Sequence, residues 1–257
     1  MEAIFVELQG SAEFYEQFNV GRGRIVREPQ RTIEHFYRVL PAMLRHSVVG
    51  ACEYHRLLAT KLESGDAVMS LNYDCLIDDA LRDAGGRRWN PRFGYGFDAT
   101  DGVEAWRNWG SGANAGTPIR LLKLHGSLNW TFDGTQVRLV ADPYERDSAD
   151  GSIVPPLGRK PVSTEPFSGV WREARLRVRR TERLVVIGYS LPAADYLVRA
   201  LLRADLDPAS LQELIVVDPS DDVADRFVQL LTHAPKRVES MRSFKEFAAW
   251  LEADGSS

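Results

Sequence analysis

Apolar positions recur every three or four residues through Ile33, Phe36, Tyr37, Leu40, Leu44, Tyr54, Leu57 and Leu58, which predicts helices over the first sixty residues. Only the stretch 19–29, with Gly21-Arg22-Gly23-Arg24, interrupts them. From Asp66 the pattern changes. Ala67-Val68-Met69-Ser70-Leu71 is a short aliphatic run of the buried-strand type, and a helix is predicted over 75–82, stopped by Gly85-Gly86. Another strand is predicted over 119–124. Asp133-Gly134, between Trp130-Thr131-Phe132 and Val137-Arg138-Leu139, predicts a hairpin. Further strands are predicted over 184–187 and 214–217, with helices over 170–180, 193–202, 221–231 and 244–251.

Uninterrupted aliphatic runs alternating with helices are what a parallel sheet covered on both faces requires. The expected fold is therefore α/β, a doubly wound Rossmann-like parallel sheet with a helical N-terminal region, in a single domain over 1–257. Two stretches do not fit either period. Residues 87–117 are rich in Gly, Asn, Trp and Arg, and 142–167 hold five of the thirteen prolines; both read as irregular excursions over a cleft.

Charge and cysteine content narrow the function classes. Thirty-two basic against thirty-six acidic side chains leave a net charge of -4, so there is no global positive field for nucleic acid. No apolar run approaches the roughly 20 residues that cross a bilayer, and the first residues carry Glu2 and Glu7 rather than a basic leader. The expectation is a cytoplasmic protein without membrane contact. Two cysteines, Cys52 and Cys75, supply neither a disulfide framework nor a four-thiolate zinc site, and both are expected as reduced, buried thiols.

In open parallel sheets ligands bind beyond the carboxyl ends of the strands. The residues at those exits are Asn72-Tyr73-Asp74, His125-Gly126-Ser127, Gly188-Tyr189-Ser190 and Asp218-Pro219-Ser220. Such groups suit a nucleotide: carboxylates and amides for ribose hydroxyls, Gly and Ser for close approach to phosphate. Helix capping is the alternative for Asn72 and Asp74. A satisfied structural imidazole is the alternative for His125, whose place at a strand exit before Gly126 instead suits a base for water or a ribose hydroxyl.

The runs Ser70-Leu71-Asn72-Tyr73-Asp74, Lys123-Leu124-His125-Gly126-Ser127-Leu128-Asn129-Trp130 and Val186-Ile187-Gly188-Tyr189-Ser190-Leu191, with Asp195 behind the last, resemble the sirtuin-like family of prokaryotes in wording, order and spacing. The resemblance implies NAD as substrate or ligand. It implies catalytic roles for His125 and Asn72, and cofactor contacts from Asp74, Gly126, Ser127, Gly188, Tyr189, Ser190 and Asp218. Histone-deacylating sirtuins carry a zinc ribbon of two Cys-x-x-Cys pairs, and this chain has none. The resemblance thus points to the zinc-free branch, many of whose members cleave NAD in antiphage defence, and away from a protein deacylase. Nothing before Asn72 matches the family's opening strand and Gly-Ala-Gly-x-Ser phosphate loop. That leaves two readings, a chain beginning after that unit or a member without it.

The expected function is an NAD glycohydrolase, with a non-catalytic NAD or ADP-ribose sensor acting through self-assembly or a partner protein as the alternative. No zinc is expected. Three lesser features have two readings each. Arg172, Arg175, Arg177, Arg179 and Arg180 read as a solvated helix face or, less in keeping with an arginine-rich chain, a nucleic-acid patch. Cys52, His55 and His46 lack a fourth ligand and read better as core than as a metal site. Trp89, Phe93, Tyr95, Phe97, Trp106 and Trp109 read equally as lids over a nucleotide ring or as a satellite core.

Overall fold

The computed structural model describes Met43, 51–107, 118–145, the backbone of 152–153, 163–193, 195–231 and 233–254. The helices predicted before residue 51, Gly21-Arg22-Gly23-Arg24, His46, Trp109 and much of both excursions lie outside the described residues. The first described helix, α1 (Glu53–Lys61), leads into strand β1 (Ala67–Ser70) and helix α2 (Leu76–Ala84). Strand β3 (Arg120–Lys123) lies parallel to β1, with Val68 opposite Leu121 and Met69 opposite Leu122. The intervening 87–107 stretch contains a short strand, β2 (Ala99–Asp101), and two single turns of 3₁₀ helix.

The second half builds the larger parallel unit. Helix α3 (Phe167–Val178) is followed by strand β8 (Arg183–Ile187), helix α4 (Tyr196–Asp205), strand β9 (Glu213–Val217), helix α5 (Val223–Leu230), strand β10 (Arg237–Met241) and helix α6 (Phe244–Asp254). Strands pair in the order β8-β9-β10, all parallel. The protein is thus α/β with parallel sheets and interspersed helices, as the alternating runs require. The central β9 is buried at every position, which explains its unbroken Leu214-Ile215-Val216-Val217 run. Across its start, Glu213 stands opposite both Arg183 and Arg237 and pairs with each guanidinium, a cross-strand clamp that favours this register.

Helices join the two parallel units. Helix α3 packs on β3 and on α4, while α1 packs on α2 and α6, where Tyr54 and Phe244 rings meet at 4.9 Å. The predicted hairpin is present as strands β5 (Trp130–Phe132) and β6 (Val137–Leu139), with Gly134 at φ +100° in the turn. Asp133 Oδ1 accepts from Gln136 N–H, Thr135 Oγ1 and Thr135 N–H, which holds its carboxyl down at about 2. Strand β2 adds parallel to β6, and strands β4 (Gly126–Ser127) and β7 (Ser152–Ile153) form a short antiparallel pair.

Strands β2, β4, β7 and β10 were not expected. Strand β10, Arg237-Val238-Glu239-Ser240-Met241, is an exposed edge with polar residues facing water, so it carries none of the aliphatic signal of its neighbours. Cys75 is buried as expected, whereas Cys52, at the cap of α1, is only half-buried. No helix among the described residues is long and apolar enough to cross a membrane.

Candidate functional site

Three strand exits converge on His125. It follows β3 and is 5% exposed, and its Nε2 lies 3.6 Å from Asp195 Oδ1. Asp195 is itself buried, immediately before α4, and its other oxygen accepts from Tyr189 Oη at 3.0 Å. From the β1 exit, the Tyr73 ring lies 6.4 Å from the imidazole, and from α5 Phe227 meets Tyr189 edge-on. A line of groups from Tyr73 through His125 and Asp195 to Tyr189 therefore crosses from one parallel unit to the other. Trp171 Nε1–H of α3 donates to Leu124 carbonyl, pinning the backbone just before His125.

The flanking predicted residues divide by what their side chains are already doing. Asn72 is exposed, and among the described residues its side chain makes no hydrogen bond, so it is available to a ligand. Asp74 is half-buried and its Oδ1 accepts from Leu76 N–H at 3.1 Å, an Asx turn one residue before the cap position, Cys75, that still satisfies the first amide of α2. Gly126 is buried at φ +87°. Ser127 faces inward, its Oγ 3.7 Å from Cys75 Sγ.

Gly188 adopts φ +61°, is exposed, and would have open space around an added Cβ; its N–H donates to Val217 carbonyl. Exposed Ser190 accepts at its carbonyl from Arg226, and Leu191 follows with φ +57°, rare for a branched residue. Asp218, at the β9 exit, turns back to accept from Ser220 N–H at 2.9 Å. The Gly188 amide ties the β9 exit to the β8 turn, but no contact brings the Asp218 side chain to His125 among the described residues.

Beneath the exits lies a polar cluster that sequence reasoning did not single out. Lys123, Asp78 and Asn129 are each 0% exposed, as is Tyr95. Lys123 Nζ donates to Asp74 carbonyl and to Asp78 Oδ2 at 3.1 Å. Asp78 Oδ1 accepts from Tyr95 Oη at 2.6 Å and Asn129 Nδ2 at 3.2 Å. Burial pulls the Lys123 pKa down, but the carboxylates of Asp78 and Asp74 outweigh it and the net shift is upward, so the ammonium stays charged. Burial, reinforced by Asp78, raises Tyr95 well above the ordinary phenol value and keeps it a donor.

Asp74 and Asp78 are four apart and Lys123 precedes His125 by two on a strand. Those spacings were the available signal, but only the fold pairs them. Asp195 was visible in the sequence only as part of a motif, without a partner. Its role as the charge against His125 depends on a contact seventy residues away in the chain.

The aromatic alternatives separate. Trp89, Tyr95 and Trp106 are buried, and Tyr95 and Phe97 pack against Trp130 at 5.2 and 4.8 Å, so these rings form core. Phe93 is 43% exposed. In the arginine cluster, Arg175 and Arg179 both clamp Asp205 at the end of α4, and Arg177 pairs with Glu173 and donates to Gly65 carbonyl. Those pairs hold Asp205 below the usual carboxylate range, Arg175's hydrogen bond foremost, against the opposing pull of desolvation. A depressed folded pKa stabilises above the ordinary value of about 3.9 and is lost as pH falls through the lower folded value. The melting temperature should therefore fall below about pH 4, and Asp205→Asn should flatten that decline; an unchanged acid limb would mean the clamp is loose in solution.

His55 on α1 has a buried Nδ1 with no partner among the described residues, and burial lowers its pKa. No group of three His, Cys, Asp or Glu side chains able to hold a metal occurs among the described residues. Cys75 donates its N–H to Tyr144 Oη at 2.6 Å, and burial pushes its thiol up to about 12. At pH 8 a disulfide reagent should label one thiol, Cys52, quickly and Cys75 only on the timescale of opening; two fast thiols would contradict the buried turn.

A comparison with known proteins finds no family model that matches the chain and no match among curated proteins.

Proposed function

We propose that the strand exits around His125 bind NAD and that the protein is an NAD glycohydrolase of the zinc-free sirtuin-like kind. The observation that carries this reading is the convergence of three strand exits on a buried imidazole set against Asp195, with the uncommitted Asn72 amide exposed on the β1 exit. The open turn at Gly188 suits close approach of an adenosine phosphate or ribose.

The chemistry follows from these groups. The C1′–N bond of the nicotinamide riboside breaks with its electron pair going to the ring nitrogen, so nicotinamide leaves neutral and an oxocarbenium-like ribose remains. Water adds at C1′ and loses a proton, giving ADP-ribose and one released proton. His125 accepts that proton or orients the ribose diol, and Asp195 holds the imidazole in place. Asn72 positions the ribose or the water.

The test is nicotinamide release from NAD by the purified chain, followed by chromatography. Continuous release supports the hydrolase. No release, with NAD or ADP-ribose raising the melting temperature, would make the protein a ligand sensor, and neither response would remove NAD from the reading.

A further inference from the structure

Lys123 and Asp78 are a fully buried ion pair that the proposed chemistry does not use. Exchanging such a pair for apolar side chains of similar volume is often neutral or stabilising, because desolvating two charges offsets their attraction. Stability therefore does not account for it. What the pair touches does. The ammonium holds the backbone carbonyl of Asp74, in the turn that presents Asn72. Its own strand runs directly into His125. The Asp78 carboxylate gathers Tyr95 from the 87–107 excursion and Asn129 from the segment after β4, and Tyr73 carbonyl accepts from Leu128 N–H in that same segment.

The geometry points to Lys123 as a positioning residue: neutralised by Asp78, it fastens the Asn72–Asp74 turn to the strand that carries His125, setting the distance between the two catalytic side chains. This rests on the NAD glycohydrolase reading for its functional consequence, and on the hydrogen bonds alone for its structural one. Cys75 offers a probe that is independent of activity, since it directly follows Asp74 in the chain, with its N–H donated to Tyr144 Oη and its buried thiol 3.7 Å from Ser127 Oγ.

The experiment uses the full chain in a Cys52→Ser background, with the paired change Lys123→Met and Asp78→Leu. Three quantities are read: melting temperature, Cys75 labelling rate with a disulfide reagent, and kcat and KM for nicotinamide release. The expected result is a folded variant whose melting temperature falls only by the cost of the acceptor that Tyr95 and Asn129 lose, with labelling of Cys75 at least about tenfold faster and kcat lower by about 10²-fold, the penalty of a misplacement near 1 Å. A variant that folds, labels like its parent and turns over like its parent overturns the proposal. If the parent itself releases no nicotinamide, the hydrolase reading fails, and the labelling rate still decides whether Lys123 holds the turn. Should the paired variant not fold, Lys123→Met alone removes the donor from the Asp74 carbonyl and leaves Asp78 its Tyr95 and Asn129 donors. Faster Cys75 labelling in that variant supports the proposal, and parental labelling overturns it.

Discussion

His125→Ala is expected to lower nicotinamide release by about 10²–10⁴-fold, the usual contribution of a positioned acid–base group. His125 is buried against Asp195, so this change alone does not separate chemistry from packing. Asn72→Ala does. Its side chain is exposed and makes no hydrogen bond among the described residues, so its removal should shift stability by no more than about 0.5 kcal/mol. A large loss of turnover from Asn72→Ala at an unchanged melting temperature would locate the reaction at the β1 exit. Parallel loss of folding and turnover in both variants would instead assign both residues to structure. Full turnover in the Asn72 variant would move the reacting centre away from the β1 exit.

The second large effect is on stability. Asp78→Ala leaves the Lys123 ammonium buried with only a carbonyl for company, and breaking a buried pair in this way costs about 3–5 kcal/mol. That is a large share of the roughly 5–15 kcal/mol by which a domain is stable. Tyr95 and Asn129 lose an acceptor at the same time, which adds to the cost. Urea unfolding measures it. Adding Lys123→Met to Asp78→Ala should recover much of the loss, because the uncompensated charge is then gone. A cost below about 1 kcal/mol for Asp78→Ala would mean that Lys123 sheds its proton or finds water, and that the cluster is looser than its burial implies.

The two effects depend on the same piece of architecture. Residues that face the proposed ligand, Asn72 and His125, sit on turns whose backbones are held from below by Lys123, Trp171 and Tyr144. Such turns need outside support because a strand end leaves backbone groups unpaired. Here buried side chains supply the partners.

By itself the sequence determined the alternation of strand and helix. Leu121-Leu122, Val185-Val186-Ile187 and Leu214-Ile215-Val216-Val217 are local patterns, set by which residues must leave water, and such patterns survive without knowledge of neighbours. The polar residues at their exits were legible for the same reason, since topology confines ligands to that end of a parallel sheet. The Asp133-Gly134 turn was legible because its backbone conformation is chosen by adjacent residues.

Only the tertiary structure decided the rest. An edge strand such as β10 is recruited by hydrogen bonds to β9, and its own composition says little. Whether Trp89, Tyr95 and Trp106 are lid or core depends on what packs against them, and the answer is core. The pairing of His125 with Asp195, and of Lys123 with Asp78, joins residues far apart in the chain. Charge pairing acts over a few ångströms in space and carries no period along the sequence, so the fold alone turns separate polar residues into a site.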